Sequence, residues 1–156
     1  DLAAYCGISF ASNDANPLYY ANNLYLNDEL VTELVIPEGV TEIGKEAFES
    51  CNNSKFIFPN GLKKIGNSAF EGCKKLSKVE LSQGLVTIDS FAFIDCPELK
   101  SIKIPSSVES IGVDAIGYFI DEEVFVTKPV EDFTIYGTAD SMSQVRSLDT
   151  CTENEN

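Results

Sequence analysis

The sequence contains no histidine, no tryptophan and a single methionine among its 156 residues. The missing histidine removes the commonest general base and the commonest metal ligand. No apolar run approaches the roughly 20 residues that a transmembrane helix needs, so membrane insertion is not expected. With 44% hydrophobic residues, the chain is still long and apolar enough to bury one core. These features predict one soluble domain.

Basic residues are also scarce: the sequence has 11 Lys and Arg against 25 Asp and Glu, which gives a formal net charge of −14. Residues 1–29 hold four acids and no base, residues 30–120 hold twelve acids and nine bases, and residues 121–156 hold nine acids and two bases. The acidity therefore belongs to the two ends. Because a negative surface repels phosphates and anionic headgroups, nucleic acid and membrane surfaces are poor partners. Solubility is the simpler explanation of the same charge.

The first ten residues, DLAAYCGISF, lack an initiator methionine, a basic n-region and an apolar segment of signal-peptide length. We therefore expect a mature product or a piece cut from a longer protein.

An apolar pattern returns along the chain at intervals of 22, 23 and 23 residues. Its strand-like pairs are Leu34/Ile36, Phe56/Phe58, Val79/Leu81 and Ile102/Ile104. Further equivalent positions are Val40, Leu62, Leu85 and Val108; Ile43, Ile65, Ile88 and Ile111; Ala47/Phe48, Ala69/Phe70, Ala92/Phe93 and Ala115/Ile116; and Cys51, Cys73 and Cys96. Agreement at so many positions indicates a structural repeat, one copy of which we call a coil.

Each coil begins with apolar residues at alternate positions, which predicts a strand with one buried face. A proline that cannot donate to the ladder then ends the strand in most copies, and a glycine turn follows. A second short extended piece ends at the glycine of an Ile-Gly pair. The Ala-Phe-x-x-Cys segment is too short for an isolated helix, so we predict one helical or 3₁₀ turn there.

A single coil cannot bury its own apolar face, so the coils are expected to stack. Stacking places equivalent strands about 4.8 Å apart, with each Phe over the next Phe and each Ile over the next Ile. The prediction is a solenoid with ladders of like residues inside.

The order L..L.IP..V..IG..AF..C resembles the treponemal, or BspA-like, class of leucine-rich repeats. The resemblance is close at LVTELVIPEGVTEIGKEAFESC and departs at Ser54, Ser82, Asp89 and Ile116, which replace a Leu, a Pro, a Gly and a Phe. It implies an α/β leucine-rich-repeat solenoid of mostly short strands, with one short helical or 3₁₀ turn per ~23-residue coil and a cap at both ends. Residues 30–120 would form four repeats.

Residues 1–29 do not fit the repeat and are predicted to be a cap or the remnant of an upstream repeat. Asn16-Pro17 suggests a turn, and the alternation around Tyr25 followed by Asn27-Asp28 suggests a hairpin or edge strand. We expect Tyr19, Tyr20 and Tyr25 to pack over the first coil, with a sugar- or protein-binding platform as the alternative.

Phe133 and Ile135 alternate within residues 121–148. This part resembles the closing segment of the same family, which implies a capping strand followed by a short helix with Asp140 or Ser141 as its N-cap. Residues 149–156 are polar and are expected to be a frayed, flexible tail. Such ends would cover the open edges of the solenoid.

The cysteines are the first candidates for chemistry. Cys51, Cys73 and Cys96 would stack on adjacent coils, but their spacing matches no zinc pattern, and buried cysteine commonly acts as a small hydrophobe. We therefore predict core thiols. Cys6 and Cys151 lie at opposite ends and are expected to be too far apart to pair, and the role of an exposed terminal thiol stays open.

No catalytic, cofactor-binding or metal-ligating residues are predicted. Asp121, Glu122 and Glu123 form an acidic run that is usually just solvated, and a glycosidase would need two carboxylates at a defined separation. The serines lack a histidine partner, and no glycine-rich phosphate loop with a lysine is present. Catalysis would have to come from another domain.

The remaining candidate is the outward face of the first strand of each coil, since alternate strand residues point away from the core. We define this surface, the sheet face, by two columns: Glu33, Lys55, Lys78 and Ser101 in one, and Val35, Ile57, Glu80 and Lys103 in the other. The resemblance to leucine-rich repeats, which generally bind protein partners on their sheet face, implies that these are the partner-binding residues. The alternative is that Val35 and Ile57 merely suit a strand or are covered by the N-terminal segment.

The resemblance implies a non-catalytic protein-binding module of a secreted or surface-attached bacterial protein, acting in adhesion or in contact with a host or microbial protein. The second hypothesis is a rigid spacer that holds an enzyme or adhesive domain away from the cell surface. A third, less favoured hypothesis is that the chain is an appendage of a secreted glycosidase or protease.

Overall fold

The protein is described by a computed structural model that covers residues 1–121, 123 and 126–137. The helices are α1 (Leu2–Cys6) and α2 (Pro17–Ala21), with a 3₁₀ turn at Asn13–Ala15 between them. The strands are β1 (Tyr25–Leu26), β2 (Glu29–Leu30), β3 (Glu33–Val35), β4 (Glu42–Ile43), β5 (Lys55–Ile57), β6 (Lys64–Ile65), β7 (Lys78–Glu80), β8 (Thr87–Ile88), β9 (Ser101–Lys103), β10 (Ser110–Ile111), β11 (Tyr118–Asp121), β12 (Val126–Pro129) and β13 (Thr134–Tyr136). None of the helices described here is long and apolar enough to cross a membrane.

Equivalent strands of successive coils pair in parallel, as the repeat predicts. The first strands β3, β5 and β7 form one sheet, in which Leu34 lies beside Phe56 and Phe56 beside Val79. The second strands β4, β6, β8 and β10 form another, in which Ile43 pairs with Ile65. The predicted β-solenoid of short strands is thereby confirmed.

The first sheet does not continue into the fourth coil. Strand β9 is hydrogen-bonded to β13 instead, with Ser101 beside Thr134 and Ile102 beside Ile135, although β7 and β9 remain neighbours. A strand therefore lies where the alternation of Phe133 and Ile135 predicts one. The short helix expected after it, with Asp140 or Ser141 as its cap, lies outside the described residues.

The Ala-Phe-x-x-Cys segments do not form the predicted helical turns. Each is a series of tight turns, because residues such as Glu46, Ser50 and Phe91 have a left-handed φ near 60° that interrupts a helix. Alternate N–H groups bond within the segment to the residue three before, as in Cys51 N to the Phe48 carbonyl at 3.2 Å. The N–H groups between them bond to the next coil, as in Phe48 N to the Ala69 carbonyl at 2.8 Å and Phe70 N to the Ala92 carbonyl at 2.9 Å. These segments form the third side of the solenoid, which we call the turn side.

The core contains the predicted ladder of phenylalanines. The Phe70 ring is stacked on Phe48 with centroids 5.5 Å apart and on Phe93 at 5.0 Å, with interplanar angles of 5° and 3°. Phe56 meets Phe70 edge-on at 4.7 Å. Phe48, Phe56, Phe70 and Phe93 are at most 1% exposed. A continuous aromatic stack therefore joins three coils.

The N-terminal segment covers the first coil with more helix than its sequence suggests. The carbonyl of Cys6, at the end of α1, accepts a 2.7 Å hydrogen bond from Gly44 N. Asn16 does not form the predicted turn with Pro17 but caps α2, where its side chain accepts from Leu18 N. The predicted hairpin is present as β1 and β2, joined by Asn27 and Asp28 with φ of 52° and 66°.

A second antiparallel hairpin, β11 with β12, follows the fourth coil and was not predicted. Asp121, at the end of β11, forms an ion pair with Lys128 across the hairpin. Glu122 lies outside the described residues, so the predicted acidic run is seen only at Asp121 and Glu123.

Candidate functional site

The sheet face is assembled by the register of β3, β5 and β7. Glu33 lies beside Lys55 and Val35 beside Ile57, and the same two columns continue to Lys78 and Glu80. Six of the eight predicted residues thus share one ladder. Ser101 and Lys103 are exposed on β9, in the separate sheet with β13.

The charges of the sheet face are arranged around one lysine. Lys55 Nζ lies 3.3 Å from Glu80 Oε1 and 3.8 Å from Glu33 Oε2, and Lys78 Nζ lies 3.0 Å from Glu80 Oε1. Hydrogen bonding and charge from Lys78 and Lys55 hold the pKa of Glu80 below its usual value. Exposed pairs of this kind add little stability, so their main effect is to fix where each charge lies.

The sheet face carries apolar side chains in its first two coils. Val35 is 61% exposed and Ile57 is half-buried, so Val35 is not covered by the N-terminal segment. In the preceding hairpin, Tyr25 is 59% and Leu30 50% exposed. The sheet face thus carries a small apolar patch, Val35 with Ile57, beside its paired charges.

The predicted packing of the tyrosine cluster is wrong for two of its members. Tyr20 is 70% exposed and hydrogen-bonded to Asp14, and Tyr25 is exposed as well. Tyr5 instead packs on the first coil, with its ring edge-on to Phe48 at 5.6 Å, and its hydroxyl is 2.8 Å from the Ala47 carbonyl oxygen. Burial, with nearby thiols, raises the pKa of Tyr5.

The cysteine ladder consists of core thiols, as predicted. Cys73 Sγ donates to the Phe48 carbonyl at 3.1 Å, and Cys96 Sγ donates to the Phe70 carbonyl at 3.2 Å. Burial raises the pKa of Cys51 to about 11, so the thiolate needed for reactivity is scarce at neutral pH. No cluster of metal-ligating side chains occurs in residues 1–121, 123 and 126–137.

Cys6 is not the exposed terminal thiol considered from the sequence. It is fully buried in the main core, and burial raises its pKa to about 11. The reason is that α1 folds back over the first coil, which no repeat pattern indicates. Cys151 lies outside the described residues.

A polar cleft of about 390 Å³ lies on the turn side, where α2 meets the turns of three coils. Its lining includes Tyr19, Asn22, Glu49, Glu71, Lys74 and Asp95. Asn22 joins the N-terminal segment to the turns, since its side chain donates to the Ser50 carbonyl at 3.2 Å. We call this site the turn-side cleft. No sequence signal marks this cleft, because Glu49 and Glu71 look like ordinary surface acids in the sequence.

Glu49 is the unusual group of the turn-side cleft. It is only 3% exposed, and its Oε2 atom has no hydrogen-bond partner among the described residues. Burial raises its pKa to about 7, the carboxylates of Glu71 and Glu46 add to the rise, and Lys45 opposes it. A glutamate in this position is therefore partly protonated near neutral pH.

This raised pKa predicts a pH-dependent stability. Between the ordinary value of 4.5 and about 7, folded Glu49 keeps a proton that the unfolded chain has lost. The stabilisation is therefore full below pH 4.5 and lost as the pH rises through about 7. In urea unfolding, Glu49→Gln should gain stability relative to the parent between pH 5 and pH 8. A stability difference that is the same at both pH values would contradict the assignment.

The fold is that of a β-solenoid built from coils of about 23 residues, and comparison with known proteins assigns the family. The family model for the BspA type leucine-rich repeat region matches residues 20–143. The chain belongs to this family. A search of curated proteins gives no match.

Solved structures of similar proteins agree with this assignment. A leucine-rich repeat protein from Bacteroides capillosus is 33% identical, with a TM-score of 0.55 over 69% of this chain and 78% of that one. The leucine-rich repeat protein of T. pallidum is 29% identical, with a TM-score of 0.54 over 69% of this chain and 52% of that one. A leucine-rich cell surface protein from Faecalibacterium prausnitzii is 26% identical, with a TM-score of 0.59 over 78% and 36%. This chain thus spans about half of the treponemal protein and about a third of the Faecalibacterium protein.

Repeat solenoids of this family are typically scaffolds that present an extended surface to other proteins. The sheet face and the turn-side cleft are the two candidate surfaces of this chain. Neither holds an arrangement of nucleophile and base in the residues described.

Proposed function

We propose that this chain is a non-catalytic protein-binding module that contacts its partner through the sheet face. The observation that carries the proposal is the exposed Val35 beside the half-buried Ile57 of the next coil, flanked by the paired charges of Lys55, Lys78 and Glu80. An apolar patch with a charged border is the usual composition of a protein-binding surface. The fixed charges would then select the partner more than they strengthen the complex.

We further propose that the module belongs to a secreted or surface-attached bacterial protein and serves adhesion to a host or microbial protein. Support comes from the similar cell surface protein of Faecalibacterium prausnitzii. The acidic net charge of −14 also disfavours nucleic acid and anionic membranes as partners.

The second candidate is a rigid spacer in a larger surface protein or secreted enzyme. The continuous Phe48, Phe70 and Phe93 stack favours it, because an unbroken core joins the coils into one rigid body. A spacer needs no ligand, so this candidate predicts that no partner recognises the sheet face.

The test is binding to a panel of purified extracellular-matrix and plasma proteins, followed by a comparison of two double variants. Val35→Glu with Ile57→Glu should weaken any binding found by at least about tenfold, because two central apolar contacts become charged. Val113→Glu with Val126→Glu is the matched control, since both valines are exposed away from the sheet face. It should change affinity by less than about twofold.

Equal affinity of the parent and the sheet-face variant would contradict the assignment of this surface. Failure of the parent to bind any extracellular protein would favour the spacer.

A further inference from the structure

The turn-side cleft contains a buried carboxylate without a neutralising partner. Glu49 forms no ion pair with any side chain that the structure describes, and its Oε2 atom accepts no hydrogen bond there. A buried charge without a partner is costly, so such a group is usually retained for a reason other than stability. Glu49 lines a cleft of about 390 Å³, so there is room for a ligand group beside it, and contact with the buried Oε2 atom requires the side chain to turn toward the cleft.

A second carboxylate, that of Glu71, lies next to Glu49 because their coils are stacked. Glu49 and Glu71 are equivalent residues of adjacent coils, and their turns are joined by Ser50 N donating to the Glu71 carbonyl at 2.7 Å. The negative charge of Glu71 contributes to the raised pKa of Glu49. Two acids are thus placed side by side on the wall of one cleft.

The neighbouring lysines are already engaged. Lys45 Nζ lies 2.9 Å from Glu46 Oε1, and Lys74 forms an ion pair with Asp95 at the far side of the cleft. Neither lysine forms an ion pair with Glu49 or Glu71. When Glu49 is ionised, the cleft therefore carries an excess of negative charge that a cationic group from outside would balance.

We propose that the turn-side cleft binds a cationic side chain of a protein partner, with its ammonium or guanidinium group held by Glu49 and Glu71. A cation supplies the missing hydrogen-bond donors and the missing positive charge together. No group of three or more Cys, Asp or Glu placed to hold a metal ion occurs in the part of the chain that the structure describes. Because the cleft is on the turn side, the site is separate from the sheet face and does not rest on the function proposed for that face.

The test is an NMR titration of the isotope-labelled chain at pH 8 with three small probes. These are N-acetyl-lysine methylamide, N-acetyl-arginine methylamide and the neutral N-acetyl-glutamine methylamide. At least one cationic probe should shift the amide signals of residues 49–52 and 71–74, and comparison of the two shows whether ammonium or guanidinium is preferred. The neutral probe should leave these signals in place.

Matched variants separate the cleft from the general negative charge of the protein. Glu49→Gln and Glu71→Gln should each weaken binding of the cationic probe by at least about tenfold, since each removes a charge-assisted hydrogen bond. Glu109→Gln removes the same charge from an exposed position in the fourth coil and should change affinity by less than about twofold. The unchanged amide spectrum of each variant outside the cleft would show that it is folded.

Three results would overturn the proposal. One is equal weakening by Glu49→Gln and Glu109→Gln, which would mean general electrostatic attraction. Another is an equal response to the glutamine probe, which would mean that the cleft takes neutral polar groups. The last is no response of the cleft amides to either cation at concentrations up to about 50 mM, where millimolar binding would be evident.

Discussion

Phe70→Ala is expected to lower the free energy of unfolding by about 3–5 kcal/mol, because it removes the middle ring of the aromatic stack. Phe70 is fully buried and contacts Phe48 and Phe93 face to face, so no single neighbour can fill the space left behind. The loss would be a large fraction of the 5–15 kcal/mol that typically stabilises a domain. Chemical unfolding followed by circular dichroism measures it.

Phe10→Ala is the matched control, because the same atoms are removed from a half-buried ring outside the stack. Phe10 touches Tyr5, with ring centroids 5.9 Å apart, but no ring of the ladder. Its loss should cost about 1–2 kcal/mol, since less area is returned to water. Equal losses for the two variants would show that the stack is not the main core.

Gly112→Ala is expected to have the second large effect, a loss of about 2–3 kcal/mol or more from overpacking. An added Cβ would lie 2.2 Å from Ser90 N and 2.7 Å from the Asp89 carbonyl carbon. Both are backbone atoms of the preceding coil, so relief requires the coils to separate. The glycine of the Ile-Gly pair is therefore needed for the close approach of neighbouring coils.

Gly61→Ala provides the control for the Gly112 variant. A Cβ at Gly61 would meet only the Val40 carbonyl oxygen at 3.9 Å, and its φ is not in the left-handed region. Its stability should change by less than about 1 kcal/mol in either direction. A Gly112→Ala variant that unfolds at the same urea concentration as Gly61→Ala would rule out the proposed contact between coils.

The repeating part of the fold could be predicted because each residue of a coil meets its own equivalent in the next. The spacing of the repeat alone therefore predicted that Phe48 stacks on Phe70 and that Leu34 lies beside Phe56, as the structure shows. The alternation of residues along each strand predicted which side chains form the sheet face. The conformation of the Ala-Phe-x-x-Cys segment could not be predicted in the same way. Its left-handed residues include Ser50 and Phe91, which give no sequence signal, since glycine is the residue expected there.

The two terminal segments were predicted less well, because each occurs only once in the sequence and has no repeated copy with which it can be aligned. Helix α1, which buries Cys6, and the hairpin of β11 and β12 depend on contacts with the terminal coils. The turn-side cleft depends on the same kind of contact, since α2 closes it against turns from three coils. Only the structure shows that Glu49 is buried at that junction.

The central claim is that this family member binds its partner through the sheet face, and methyl NMR of the complex tests it most directly. On addition of the partner found in the binding panel, the methyl signals of Val35 and Ile57 should shift, while those of Val113 and Val126 should not. Shifts at Val113 and Val126 with unchanged Val35 and Ile57 signals would contradict the claim.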